Sequence, residues 1–313
     1  MSAVAGLDIG ATTVRAAVAD GQGSLRATAT EPTPGDRDAI VRTIRATLRA
    51  AAEGAGIPIE SVSSVGIGSM GPLDHDEGCI VDPPNVPGVE RVPVVTAVEG
   101  LHDGDIVLHN DAVAAAIGER YYSDDPVENL VYLTISSGIG AGAIVDGNVL
   151  CGSTGNAAEL GHITVAPDSD RRCGCGATGH WEALCSGRSI PDTARHVAAD
   201  ADIETGLDLS TVTAAGVFDA VGSDPLADRV VDRLAAWNAL GVAAAVHAYD
   251  PDAVHIGGAV ATNNPETIVA PLRQRLPDHL VGDAPALAVT PLGSEAVLRG
   301  AVASVLERAS GPQ

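Results

Sequence analysis

Between residues 162 and 180 the chain carries two histidines and two cysteines, His162, Cys173, Cys175 and His180, within GHITVAPDSDRRCGCGATGHWE. Thiolate and imidazole are the donors Zn2+ prefers, and four of them in a tetrahedron fill its coordination shell. The set therefore predicts a structural zinc, and any fold must bring these four side chains to one point. Gly174, Gly176 and Gly179 supply the tight turns that close ligand spacing needs. Scattered core cysteines and surface histidines would not explain that interleaving. Cys79, Cys151 and Cys185 lack partner spacing and are expected as small buried hydrophobes. Five cysteines, two of them in a Cys-x-Cys pair, favour metal ligation in a reducing cytoplasm over a disulfide framework.

Around this segment the pattern alternates. VAGLDIG reads as a strand ending in a glycine turn, with TVRAAVAD as its hairpin partner. DAIVRTIRATLRAAAEGAG has helical periodicity and stops on glycine. SVSSVGIGS and DIVLHND read as buried strands, and DAVAAAIGERYY opens a helix with Asp111 in its first turn. LVYLTISSGIGAGAIVDG starts a second strand–turn cycle, PLADRVVDRLAAWNALGVAAAVHAYD is a long apolar helix, and DAVHIGG is a strand entering a glycine turn. Such alternation predicts an α/β fold with mixed sheets, each half opening strand, glycine turn, strand. No low-complexity linker interrupts it, so a domain boundary is expected near 112–130. With one Phe, two Trp and four Tyr, the core must be built from Ala, Val, Ile and Leu.

Charge narrows the function classes. The chain has 41 acidic and 18 basic residues, a net charge of −23, and every basic residue other than histidine is Arg. Nucleic acid and anionic membrane both need a basic patch, so neither is an expected partner. No run approaches the length of a membrane span. The start, MSAVAGLDIG, lacks a basic region of the signal-peptide kind, and a cytoplasmic location is expected. A P-loop is excluded because it needs Lys. Gly66, Gly68 and Gly71 match GxGxxG, but Pro72 follows at once and no helix signal begins there, so the dinucleotide reading fails its context.

Two other glycine turns are better placed. Asp8-Ile9-Gly10-Ala11-Thr12 ends the first strand, and Thr134-Ile135-Ser136-Ser137-Gly138 ends or bends another. Amide N–H groups of such turns can hold phosphate oxygens without Lys, and an adjacent Asp can hold Mg2+. Each alone reads as an ordinary hairpin; one in each half suggests a nucleotide site. Asn110-Asp111 follows the strand DIVLH, where ligands collect in α/β sheets. There Asp111 could accept a hydroxyl proton during phosphoryl transfer, or the two residues could simply cap a helix.

These motifs together resemble those of the ROK-family sugar kinases, within the hexokinase–actin-like superfamily, over essentially the whole chain. LDIGATT and LTISSGIGAGAIVDG are similar to the two phosphate motifs, and HIGGAVA, with Gly257 and Gly258, to the adenosine motif. GNAAELGHITV matches the family signature and CGCGATGHWEALCSG its zinc signature, with His180 where a third Cys is usual. GIGSMGPLDHDEGCIVDPPN looks like the strand and sugar-side loop that end in Asn85. Ala11 and Thr13 stand where the family usually has Gly and Lys.

The resemblance implies two actin-like (ribonuclease H-like) α/β domains with mixed sheets around a central cleft. The expected spans are 1–112 plus a C-terminal helix at about 300–313, and 113–299 with a zinc module at 159–182. It implies ATP, Mg2+ and structural Zn2+ as cofactors, and a hexose, most plausibly glucose, as substrate. Asp111 would be the base; Asn85, Asn110, Asp111, Glu159, His162 and Glu182 would hold sugar. Asp8, Gly10, Thr12, Thr13, Thr134, Ser137, Gly138, Gly257 and Gly258 would hold nucleotide. His162 would serve both zinc and sugar, so zinc is expected to matter more for sugar than for the glycine turns. A homo-oligomer, dimer or tetramer, is expected. Rival readings are an N-acetylmannosamine kinase or fructokinase, and a non-catalytic sugar-binding sensor. A DNA-binding repressor is disfavoured by the charge and by the lack of room for a helix-turn-helix before Asp8.

Abundant Asp without Lys resembles proteins of salt-saturated cytoplasms, where high ionic strength screens self-repulsion. Melting temperature should therefore rise with KCl well beyond physiological concentration. A melting curve unchanged from low salt to molar KCl would contradict that expectation.

Overall fold

In the computed structural model, which describes residues 3–200 and 203–309, regular elements account for most of the chain. In order they are β1 (Ala3–Ile9), β2 (Thr13–Ala19), β3 (Leu25–Pro32), α1 (Arg37–Gly54), β4 (Val62–Ser69), β5 (Leu73–Asp74), β6 (Cys79–Val81), β7 (Arg91–Pro93), α2 (Val94–Glu99), β8 (Asp105–Asn110) and α3 (Asp111–Tyr121). There follow β9 (Leu130–Ile135), β10 (Ile139–Val145), β11 (Asn148–Val149), α4 (Trp181–Cys185), α5 (Ile190–Asp200), α6 (Ala214–Asp219) and α7 (Pro225–Tyr249). The chain closes with β12 (Ala253–Gly257), α8 (Ala259–Asn263), α9 (Pro265–Arg275), β13 (Ala286–Val289) and α10 (Ala296–Ala309).

Two five-stranded mixed sheets carry the fold. The first runs β3-β2-β1-β4-β8. The β1–β2 and β2–β3 pairs are antiparallel, whereas β4 is parallel to both β1 and β8. The second runs β11-β10-β9-β12-β13, with β12 parallel to β9 and β13. Each sheet thus repeats one arrangement: the first strand of the half in the middle, its hairpin strands on one side, two parallel strands on the other. A small antiparallel sheet, β5-β6-β7, follows β4.

The elements form for local reasons. Every residue of β1 is buried, as befits a continuous apolar run in the middle of a sheet covered on both faces. Asp36 caps α1 by accepting the Ala39 amide, and Ile40, Ile44, Leu48, Ala51 and Ala52 form its buried stripe. Asp224 caps α7 by accepting the Leu226 and Ala227 amides, with Pro225 in the first turn. The core is aliphatic, as its composition requires, with each fully buried Val, Leu or Ile contributing roughly 1.5–3 kcal/mol. Trp181 is the conspicuous exception: it is fully buried, and its indole N–H donates to Asn238 Oδ1 of α7 at 2.8 Å.

The chain divides into two compact units. One comprises Met1–Glu128, Gly142–Ala157 and Ser294–Gln313; the other comprises Asn129–Ala141 and Ala158–Gly293. Within the first of these units α3 packs closely on α10. A Cβ on Gly300 would lie 1.6 Å from the Ala114 carbonyl oxygen, so only glycine allows this approach. The last helix among the described residues is α10, Ala296–Ala309; residues 310–313, on which part of the expected C-terminal helix falls, lie outside the described residues. Gly66 and Gly68 lie inside β4 rather than in a turn that opens a helix. Cys79 and Cys185 are buried as expected, but Cys151 is exposed, in an irregular stretch after β11 that offers it no core. Among the described residues no helix is long and apolar enough to cross a membrane.

Candidate active site

In the first unit the candidate residues gather at the carboxyl edge of three parallel strands. Asp8 of β1 stands level with Gly68 of β4, which stands level with His109 of β8. The turn carrying Gly10 and Thr12 leaves β1 at this edge, and Asn110 ends β8 with Asp111 directly after it. Crevices at carboxyl ends of parallel strands are where such sheets bind ligands. Asn110 Oδ1 accepts the Ala112 amide at 3.0 Å, and Asp111 Oδ1 accepts the same amide at 2.7 Å. The capping geometry is thus real, and it fixes the orientation of the Asp111 carboxylate at the start of α3. Burial holds the neighbouring His109 neutral, with its pKa pushed down to about 4. The Asn85 side-chain oxygen is buried without a hydrogen-bond partner among the described residues.

Asp8 is buried and ion-paired with Arg15. Burial pushes its pKa up, against the downward pull of the Arg15 guanidinium. Arg15 was not singled out by motif, yet the hairpin makes it legible. A turn at residues 10–12 sets Asp8 opposite Arg15 across the β1–β2 ladder. In a chain without Lys, Arg15 supplies the cation at this turn, and it also donates to the Ser294 carbonyl.

The second unit repeats the pattern. Thr134 of β9 pairs with Gly257 of β12, so the second glycine turn and the Gly257-Gly258 turn emerge side by side. Gly258 has φ +86° and lies against the Ile135 backbone, where a Cβ would come within 2.4 Å of its carbonyl oxygen. No side chain fits there. The turn at 136–138 is closed by Ser136 N–H donating to the Gly138 carbonyl at 2.9 Å, and Gly187 N–H donates to the Ser136 carbonyl at 2.7 Å.

Beside it, His162, Cys173, Cys175 and His180 converge, with one donor atom from each lying within 4.8 Å of the others. Cys173 Sγ is 3.5 Å from His162 Nδ1, and Cys175 Sγ is 3.3 Å from His180 Nδ1. Tetrahedral zinc with bonds of about 2.3 Å to sulfur and about 2.0 Å to nitrogen sets such separations near 3.5 Å, so donor set and spacing both fit the metal. The backbone shapes the cluster: Gly176 N–H donates to the Cys173 carbonyl, and an isolated bridge joins Thr164 to His180.

Two carboxylates flank the cluster. With Nδ1 directed to Cys173, His162 turns Nε2 toward Glu159, 3.9 Å from its Oε2. Burial raises the Glu159 pKa, opposed by His162. Glu182, two residues after His180, accepts the Ile139 amide through Oε2 at 2.9 Å. That contact corrects one expectation. The second glycine turn is not remote from the metal segment; the Glu182 carboxylate joins them, across 43 positions of sequence that no local signal spans.

Comparison with known proteins follows this geometry. Residues 4–308 match the family model described as ROK family. The chain is 40% identical over 295 residues to a glucokinase of Aeropyrum pernix, covering 91% of this chain and 89% of that one. The crystal structure of a ROK hexokinase from Thermus thermophilus aligns with a TM-score of 0.85 at 35% identity, covering 99% of this chain and 100% of that one. A ROK family glucokinase from Streptomyces griseus, in complex with glucose and AMPPNP, aligns with a TM-score of 0.76 at 31% identity, covering 96% and 98%.

Because Glu182 links the cluster to the glycine turn, loss of metal should reach further than one ligand. Cys175→Ala, or chelation, should remove zinc by metal analysis, lower the melting temperature, and weaken nucleotide as well as sugar in separate titrations. Purified protein holding no zinc, with both affinities intact, would contradict the assignment.

Proposed function

From membership in the ROK family, to which this chain belongs, we propose that it transfers the γ-phosphoryl group of ATP to a hexose, with glucose as acceptor and glucose 6-phosphate as product. The observation that carries this reading is the position of Asp111 at the carboxyl edge of the first sheet, the same edge that the Asp8–Thr12 turn leaves, with β4 between them. Two glucokinase relatives, one of them in complex with glucose and AMPPNP, support the choice of sugar and donor.

The chemistry follows from the residues. The Asp111 carboxylate takes the proton of the attacking sugar hydroxyl. The hydroxyl oxygen forms the new bond to the γ-phosphorus as the bond to the β–γ bridging oxygen breaks, and ADP departs. Bound Mg2+ would neutralise charge on the phosphate oxygens. Backbone amides of the turn that carries Gly10, Thr12 and Thr13, and of the turn that carries Thr134, Ser137 and Gly138, are the groups proposed to hold phosphate oxygens. Gly257 and Gly258 admit the adenosine closely because they carry no side chain. Asn85, Asn110, Glu159, His162 and Glu182 hold sugar hydroxyls, whose hydrogen bonds carboxylates accept well. A zinc held by His162, Cys173, Cys175 and His180 would fix His162 and the segment around Glu182 before sugar arrives, which would lower the ordering cost of binding. The enzyme works as a homo-oligomer in concentrated salt.

Asp111→Asn should lower turnover by a factor on the order of 10² or more while glucose still binds, because only the proton acceptor is lost. The check is a coupled kinase assay across a hexose panel at high KCl, with sugar affinity titrated separately. Near-normal turnover in a correctly folded Asp111→Asn protein would refute the role.

A further inference from the structure

Apart from the residues assigned so far, the second unit carries a cavity of about 350 Å³ that is open to solvent on one side. Arg229, Arg233 and Trp237 of α7 line it at four-residue intervals, which stacks them on one helix face. Ser169 and Arg171, from the segment that carries the metal-type donors, and Thr193 and His196, from α5, add to its polar lining, and Leu184 to an apolar wall. No acidic residue is among those that line it. For a chain of 41 acidic and 18 basic residues, three arginines around one acid-free cavity is a marked reversal of the surface charge.

The hydrogen-bond partners sharpen the point. Arg171 donates to the Thr193 hydroxyl and to the Ala183 and Ser189 carbonyls, all uncharged. Arg229 approaches Asp232 at 3.5 Å, but that carboxylate is shared with Arg275. Asp192 and Asp170 also act on Arg171 through space and Asp232 on Arg229, but none of these carboxylates lines the cavity, so three guanidinium groups facing it favour an anion, and the planar fork of Arg matches phosphoryl oxygens in pairs. The Trp237 ring and Leu184 suit the carbon face of a compact organic body. Ligand pockets start at about 300 Å³, so a single sugar or polyol phosphate fits and a dinucleotide does not.

We propose that this cavity binds a small phosphomonoester, with its phosphoryl group held by Arg229, Arg233 and Arg171 and its carbon body against Trp237. The site is separate from the catalytic edge of the sheets and shares none of the residues assigned to substrate, nucleotide or zinc.

The test uses the full, zinc-loaded chain with glucose and a non-hydrolysable ATP analogue at saturation, so that the kinase site is filled. Glucose 6-phosphate, glycerol 3-phosphate, inorganic phosphate and additional glucose are titrated by calorimetry and by Trp fluorescence. The esters should bind, inorganic phosphate should bind more weakly, and additional glucose should give no signal. The double variant Arg229→Gln, Arg233→Gln should weaken the esters by about tenfold or more while its melting temperature and turnover stay near those of the parent. Comparing the two proteins does not depend on which sugar the kinase takes. No ester binding, ester binding unchanged in the double variant, or inorganic phosphate binding as tightly as the esters would each overturn the proposal.

Discussion

The bond from the Ile139 amide to the Glu182 carboxylate joins the short helix α4, which directly follows an irregular stretch of the chain, to the start of β10. Residues 159–180 have little secondary structure to hold them, and a charge-assisted hydrogen bond contributes only about 1.5–3 kcal/mol. Its geometry therefore has to be set from elsewhere. Three consecutive residues do so in three directions. His180 joins the metal-type cluster, Trp181 fills the core against α7 with its N–H on Asn238, and Glu182 meets the β9–β10 turn. Moving any one of them displaces the other two.

The glycine turns depend on a second constraint, the parallel pairing of strands whose carboxyl ends finish level with one another. The ladder aligns Asp8, Gly68 and His109 in one sheet and Thr134 with Gly257 in the other. In the proposed function, backbone amides of these turns take the part that a P-loop Lys plays elsewhere. The absence of Lys is offset at one place by the Asp8–Arg15 pair, which is mostly buried. Breaking it by removing Arg15 alone would strand a buried carboxylate, at a cost of about 3–5 kcal/mol.

What could be read in advance divides along physical lines. Hairpins, helix stops and the central strands were legible because period, glycine and capping residues are local properties. The four metal-type donors were legible because their chemistry and spacing admit few other uses. Asp8–Arg15 was legible in principle from the hairpin register, though no motif marks Arg15. By contrast, the Glu182–Ile139 contact and the packing of α3 on α10 join distant segments, and only the assembled fold produces them. Cys151 followed the same rule: burial of a lone cysteine depends on what packs over it, and its loop offers nothing.

The central claim is that the cluster holds Glu182 on the glycine turn. Amide hydrogen exchange at Ile139, compared between zinc-loaded and chelated protein, tests it most directly. The Ile139 amide should be protected and should exchange much faster once zinc is removed, while amides of β1 remain as protected as before. Equal protection of Ile139 with and without zinc would contradict it.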